Sequence, residues 1–409
     1  MLCSSTSIDI TPKSEVKLCG YINDVRNSQT TLLAHSPIYA NCLRLEYEDS
    51  QLVFITLDIL SIPGAEADAI KKEIASVYPV HKDEIHISAI HTHSGPNGVS
   101  VDAMGKPYDS NELYRKQMGK DIVQGIKPLF ENGKEAKAYL GKTHIDGYYD
   151  NRNDSNRYYE NEAVMIRFEA EDGGLLGIWG NISVHSTVLG PFNMEISYDL
   201  LGTVREKIFE KEGVRPLMTL GTAADVSNRH CRKGDDFIEL ERVAQGIADK
   251  LLSIKTYKEI DMSSLSVNYS DYHLAYDNRV NFEYYRKELS DIEEQLENTD
   301  DKVKVKLLLS SKDKYNKKLN IEFVDKHIVS SIIRFPDLTV VTWPGELTSI
   351  FGREIKDALK MDGFVVSCCD DHHGYFIESD LYGKCYESTA TLIPQGETEK
   401  IVDFVKENL

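Results

Sequence analysis

The chain has 409 residues, 41% hydrophobic and 28% charged, which supports a packed globular core and excludes a disordered chain. A formal net charge of −19 argues against a nucleic-acid or anionic-membrane partner. No run of roughly 18 apolar residues occurs, so no transmembrane segment is expected.

The N-terminal Met1-Leu2-Cys3-Ser4-Ser5 has neither the basic nor the apolar region of an export signal. Seven cysteines are scattered without CxxC spacing, which suits reduced thiols. Together these features give the expectation of a cytoplasmic protein. From the N-terminus, the run 53–60 reads as a buried strand, 64–78 as a helix and 84–90 as a second strand, a βαβ unit. A helix is predicted over 110–131, capped by Ser110 or Asn111. Strands follow at 136–141, 163–170, 175–185 and 216–222, and a helix at 236–253. The charge-dense stretch 283–320 reads as an inserted helical hairpin turning near 298–301, either solvated or a partner-binding arm. Strands are predicted at 328–334, 337–343 and 364–369. The class is α/β, with mixed, largely parallel sheets flanked by helices. The whole of 1–409 reads as one catalytic domain, and any boundary would fall near 262–282.

Five polar clusters stand just past the carboxyl end of an apolar strand. They begin at His91-Thr92-His93-Ser94, His185-Ser186, Ala224-Asp225-Val226-Ser227, Pro344-Gly345-Glu346 and Asp370-Asp371-His372-His373-Gly374-Tyr375. Ligands of open α/β sheets bind in that crevice, so the five can converge on one pocket. In an extended segment His91 and His93 point to one side, as a metal pair or as a hydrogen-bonding pair at a strand end. His185 alone reads equally as a satisfied polar residue, and Glu346 as a ligand or a helix-terminal cap. Ser227 has no GxSxG elbow. The Asp370–His373 run is a ligand cluster or a surface loop.

These residues resemble the neutral/alkaline ceramidase family, in its N-terminal catalytic domain. The collinear matches are Asp9-Ile10-Thr11-Pro12, Gly20-Tyr21, His91-Thr92-His93-Ser94-Gly95-Pro96, Asn151-Arg152, Val184-His185 and Ala224-Asp225-Val226-Ser227. They continue through Pro344-Gly345-Glu346-Leu347-Thr348, Gly352-Arg353, Gly374-Tyr375 and Tyr386-Glu387-Ser388-Thr389. The resemblance implies a Zn²⁺-dependent hydrolase of an N-acyl amide, ceramide or a smaller N-acyl amine. Its implied zinc ligands are His91, His185, Glu346 and Tyr375. His93 and Arg152 would orient or stabilise the scissile carbonyl oxygen. Ser227 would be a nucleophile or a substrate-hydroxyl contact.

The sequence departs from the family at Asn228-Arg229 after the serine and at Asp370-Asp371-His372 before the tyrosine, so His372 or His373 could compete as a ligand. No C-terminal immunoglobulin-like domain is expected. Candidate proton donors to the leaving amine are His93, Asp225 and His373. The alternatives are a binuclear amidohydrolase or esterase using the Asp370–His373 cluster, and a non-catalytic relative that binds an acylated ligand or a sugar. The partner the resemblance implies is a small-molecule N-acyl amide.

Overall fold

A computed structural model describes residues 1–21, 24–97, 99 and 111–409. Three sheets carry the fold. The first runs β4-β3-β2-β1-β5, built from β1 (Leu2–Asp9), β2 (Tyr39–Glu46), β3 (Gln51–Leu57), β4 (Ile85–Ala89) and β5 (Lys134–Glu135). The second runs β10-β9-β8-β6-β12, where β6 is Lys137–His144, β8 Glu162–Glu169, β9 Leu175–Ile182, β10 Leu217–Leu220 and β12 Lys258–Ile260. The third runs β13-β14-β15-β17, from Ser266–Asp277, Phe323–Arg334, Leu338–Thr342 and Asp362–Val366. Two short ladders complete the set, β7 (Asp150–Asn151) with β11 (Val226–Ser227) and β16 (Glu346–Leu347) with β18 (Tyr375–Phe376).

The sheets are mixed, as expected, yet the parallel share is smaller than the apolar runs suggested. Only β3–β4, β9–β10, β15–β17 and β16–β18 pair in parallel among the described strands. Strand β2 shows why: its six interior residues are all buried although both its neighbours are antiparallel. A strand covered on both faces is apolar throughout whatever its direction.

Helices cover these sheets. α1 (Asp24–Ser28) is a short turn, and α2 (Gly64–Val77) joins β3 to β4, burying Ala67, Ile70 and Ile74. The helix expected over 110–131 is two, α3 (Glu112–Gly125) and α4 (Lys127–Glu131), divided where Pro128 enters the first turn of the second. Asn111 caps α3 by accepting the Tyr114 N–H at 3.0 Å; Ser110, the other expected cap, lies outside the described residues. α5 (Asp199–Glu212) and α6 (Phe237–Leu252) follow. The segment 262–282 holds β13, which pairs with β14 along its full length. Between them the hairpin of α7 (Phe282–Glu297) and α8 (Lys302–Lys318) is inserted, turning where the sequence places it. Asn278 ties its base by donating to Lys318 O and Ile321 O. α9 (Ser349–Ala358), α10 (Tyr386–Ala390) and α11 (Glu397–Glu407) close the chain. No helix of the described residues is long and apolar enough to cross a membrane.

Trp179 on β9 is fully buried and links the three sheets. Its ring meets Phe54 of β3 at 4.9 Å and Phe364 of β17 at 5.5 Å, while Nε1 donates to Thr219. The other interior anchor is ionic. Arg205 of α5 and Asp58, at the end of β3, are both inaccessible and pair at 2.6 Å, and Asp58 also accepts the Tyr39 N–H. Removing Asp58 leaves the buried guanidinium with Glu206 as its remaining carboxylate, at 2.8 Å, so Asp58→Ala is expected to cost about 3 kcal/mol of unfolding free energy. Denaturant melts of the two proteins check this; a loss below about 1 kcal/mol would mean the pair contributes little.

Candidate metal centre

The parallel pairs β3–β4, β9–β10 and β15–β17 end on one side, and the residues that leave those ends meet there. His91 and His93 follow β4, His185 follows β9, Ser227 follows β10, Glu346 follows β15, and His372 and Tyr375 follow β17. They surround a cavity of about 420 Å³ whose wall includes His91, His93, Arg152, Ser227, Glu346 and Tyr375. His185 lies beside it, 3.0 Å from Glu346 and 3.3 Å from Arg152. The seven residues to which the resemblance assigns a ligand, catalytic or substrate-contact role are therefore brought together. A cavity of this size suits a small-molecule ligand.

Backbone geometry explains how they are aimed. His91 adopts φ 61°, left-handed and unusual for a side chain with a Cβ, a conformation that costs roughly 1–3 kcal/mol and recurs at functional sites. Gly345, at φ 156°, is required by close approach: a β-carbon there would stand 2.6 Å from Gly374 O. That approach lets the Glu346 N–H donate to Gly374 O at 2.8 Å and sets Glu346 opposite Tyr375 in the β16–β18 register. Gly20 does the same for His93, whose ring would be struck by any β-carbon at that position.

The tautomers follow from the partners. His91 Nδ1 lies 2.8 Å from Leu60 O and His185 Nδ1 2.6 Å from Ala223 O. A carbonyl oxygen can only accept, so each Nδ1 carries the proton and each Nε2 presents a lone pair. Both lone pairs face Glu346 Oε2, at 3.3 Å from His91 and 3.0 Å from His185, and that oxygen makes no aligned hydrogen bond. Burial holds His185 down to about 4, and burial with His91 nearby holds His93 well below the usual imidazole value, so neither carries a charge at neutral pH. Three acceptors thus converge, with an Arg152 amino group 3.3 Å from one of them, His185 Nε2. One ring nitrogen from each of His91, His93 and His185 lies within 4.8 Å of the others, and among the described residues neither buried nitrogen of His93 has a hydrogen-bond partner. A divalent cation fits this set, since neutral imidazoles backed by carbonyls and a carboxylate are what zinc takes.

Arg152 organises the far side. Its Nε donates to Glu387 at 2.5 Å, one amino group approaches His185, and the other donates to the Tyr375 hydroxyl at 3.4 Å. Burial followed by the charge of Glu346 raises Tyr375 well above the usual phenol value. Ser227 is buried, and its hydroxyl accepts the Arg229 N–H at 3.2 Å; no histidine among the described residues hydrogen-bonds to it.

The Asp370–His373 run divides. Asp370 turns away to Lys71 at 2.6 Å and His86 at 2.8 Å, and Asp371 accepts the Gly64 N–H at the start of α2. His373 meets Lys326 and His327 O. Only His372 reaches the centre, its Nε2 3.8 Å from Glu346 Oε1. Among the described residues the four do not come together beside the first site; Asp370 instead joins His86 and Cys369 in a separate group. Asp225 also stands back, fully engaged by Asn151 Nδ2 and by the N–H and hydroxyl of Ser349, with burial pushing it up to about 7 against those bonds. Of the three expected proton donors, His93 alone lines the cavity.

Sequence reasoning did not foresee two features. Glu387, quoted only within the Tyr-Glu element, is the buried partner of Arg152. Leu307, Ser310 and Lys314 of α8 form part of the cavity wall, so the inserted hairpin is neither merely solvated nor a free arm. The helical spacing of these three residues was the available signal; what they face depends on docking against α10.

The fold and site define an α/β protein with a histidine–carboxylate centre at the strand ends. The family model for neutral/alkaline non-lysosomal ceramidase, N-terminal, matches residues 3–216, and the chain belongs to that family. Neutral ceramidases of Drosophila pseudoobscura pseudoobscura and Drosophila melanogaster are each 25% identical over 218 residues. Those alignments take in 47% of this chain and 30% of each fly protein, so the chain matches under a third of the length of these curated relatives. Two solved structures share the fold at 17% identity. A ceramidase complexed with C2 superimposes with a TM-score of 0.77 over 99% of this chain and 74% of its own. Neutral ceramidase from Pseudomonas aeruginosa does so with 0.75, over 100% and 75%.

Proposed function

We propose that the protein is a zinc-dependent amidase that hydrolyses an N-acyl amide to a carboxylic acid and an amine. The observation that carries this reading is the pair of Nε2 lone pairs, from His91 and His185, turned onto the Glu346 carboxylate beside Tyr375 and Arg152. Membership in the ceramidase family supports the reaction class. His91, His185, Glu346 and Tyr375 are the residues that would hold the ion. Zinc bound there would polarise the amide carbonyl and lower the pKa of a water from about 15.7 toward about 7.

The chain's own groups supply the rest. Arg152, held in place by Glu387, points a guanidinium N–H toward the point where the carbonyl oxygen gains charge. One such donor contributes roughly 3 kcal/mol to the transition state. His93, with neither ring nitrogen engaged, takes a proton from the attacking water and passes it to the departing nitrogen. Ser227, lacking a base, serves as a contact for a polar group of the substrate. The balance closes: water adds across the C–N bond, its oxygen to the acyl carbon and its hydrogens to the acid and amine.

A panel of N-acyl amides tests the reading, including short- and long-chain ceramides and N-acyl amino alcohols, with free amine measured by a fluorogenic reagent. Release of amine from at least one member, abolished in His91→Ala, is expected. Cleavage of carboxylic esters with every amide left intact would remove it.

A further inference from the structure

The chain as a whole is strongly acidic, yet its site cavity is lined by cations. Among the described residues the wall carries Arg152, Arg229, Arg232 and Lys314 against a single carboxylate, Glu346. Arg152 is matched by Glu387 behind it, and Arg232 donates to two backbone carbonyls, Thr187 O and Val188 O. Lys314 differs. Only 3% of it is exposed, and among the described residues it has neither hydrogen bond nor ion pair. The Arg229 guanidinium, at the cavity edge beside Ser227, likewise has no ion pair among them.

Lys314 is reinforced from its own helix. Lys318, one turn on, is also 3% exposed, lies over the rings of Tyr285 and Tyr315, and among the described residues donates only to Ser388 O, at 3.4 Å. Burial, with Lys314 adding repulsion, lowers it to about 7. Leu307, Ser310 and Lys314 recur at helical spacing, so one stripe of α8 faces the site. An ammonium on a largely buried lysine without a counter-charge is costly, and the cost is relieved when an anion enters the cavity it lines. A neutral ceramide offers no such anion.

We propose that the natural substrate is an N-acyl amide bearing an anionic group, a carboxylate or a phosphate, received by Lys314 and Arg229. This rests on the amidase reading and narrows its substrate. Lys314 and Arg229 bind and orient the substrate; the bond-breaking groups remain those described above.

Four amides test it on the full chain: N-dodecanoylglycine, N-succinyl-dodecylamine, N-dodecanoyl-O-phosphoethanolamine and the neutral N-dodecanoylethanolamine. The first two place a carboxylate on the amine and the acyl side, and the third separates phosphate from carboxylate. At least one anionic amide is expected to exceed the neutral one at least ~10-fold in kcat/KM, as a charge-assisted hydrogen bond to a buried cation implies. Lys314→Met is expected to lower that ratio by ~10- to 100-fold, mainly through KM, with Lys314→Arg recovering part of it. Should Lys314→Met not fold, Arg229→Gln, at an exposed residue, is read by the same ratio. A neutral amide cleaved as well as all three anionic ones, or a ratio unmoved by the substitution, overturns the inference while leaving the amidase reading intact. Release of amine from none of the four overturns the inference, and the ceramides of the wider panel then decide the amidase reading separately.

Discussion

Glu346→Gln is expected to abolish amide hydrolysis and to release the bound metal, a loss well beyond the ~10- to 100-fold that residues supporting a ligand typically cost. The substitution keeps the shape and removes the charge on which His91 and His185 converge. It also leaves two imidazole lone pairs facing a neutral amide, which cannot hold a divalent ion against water. His93→Ala is the informative companion. It is expected to keep the metal and lose ~10²- to 10³-fold in kcat, because His93 is assigned to the reacting atoms rather than to the ion. Metal content by elemental analysis, measured beside kcat, separates the two. A Glu346→Gln protein that retains a full equivalent of metal, or a His93→Ala protein that loses it, would reassign the ligands.

Arg152→Lys should lower kcat by ~10²- to 10³-fold with metal content unchanged and KM altered little. The guanidinium serves three partners at once, Glu387, His185 and Tyr375, and a lysine ammonium cannot span them. Glu387→Gln should have a smaller effect, roughly 10-fold, because the arginine stays but loses the charged partner that fixes its fork. The check is steady-state kinetics on the best amide of the panel. A kcat within about threefold of wild type in Arg152→Lys would mean that no charge develops beside Arg152.

The strand-end logic was the most legible part of the sequence. His91, Glu346 and Tyr375 follow apolar strands whose Val and Ile runs announce themselves, and Gly345 and Gly374 mark the turns that bring two of them together. What stayed hidden depends on contacts across the chain. Arg152 and Glu387 are 235 residues apart, and no local pattern announces their pairing. Which of the four residues 370–373 would face inward could not be read either, because positive φ at Asp370 rotates the run so that His372 alone points to the centre. Strand β13 was missed for a different reason. Its Asn268, Ser270 and Asp271 lack the apolar alternation of a half-buried strand, since it forms the edge of its sheet. The hairpin was found as two helices with its turn in place, but the face that meets the site is set by docking, which a helical period cannot reveal.

The claim on which all of this depends is that a metal ion at His91, His185, Glu346 and Tyr375 is required for amide hydrolysis. Dialysis of the wild-type protein against a chelator, followed by elemental analysis, amine release and zinc add-back, tests it most directly. The structure leads us to expect one equivalent of metal per chain before dialysis, no amine release after it, and recovery of activity as zinc returns to one equivalent. A metal-free protein that hydrolyses the amide at the undialysed rate would contradict the account.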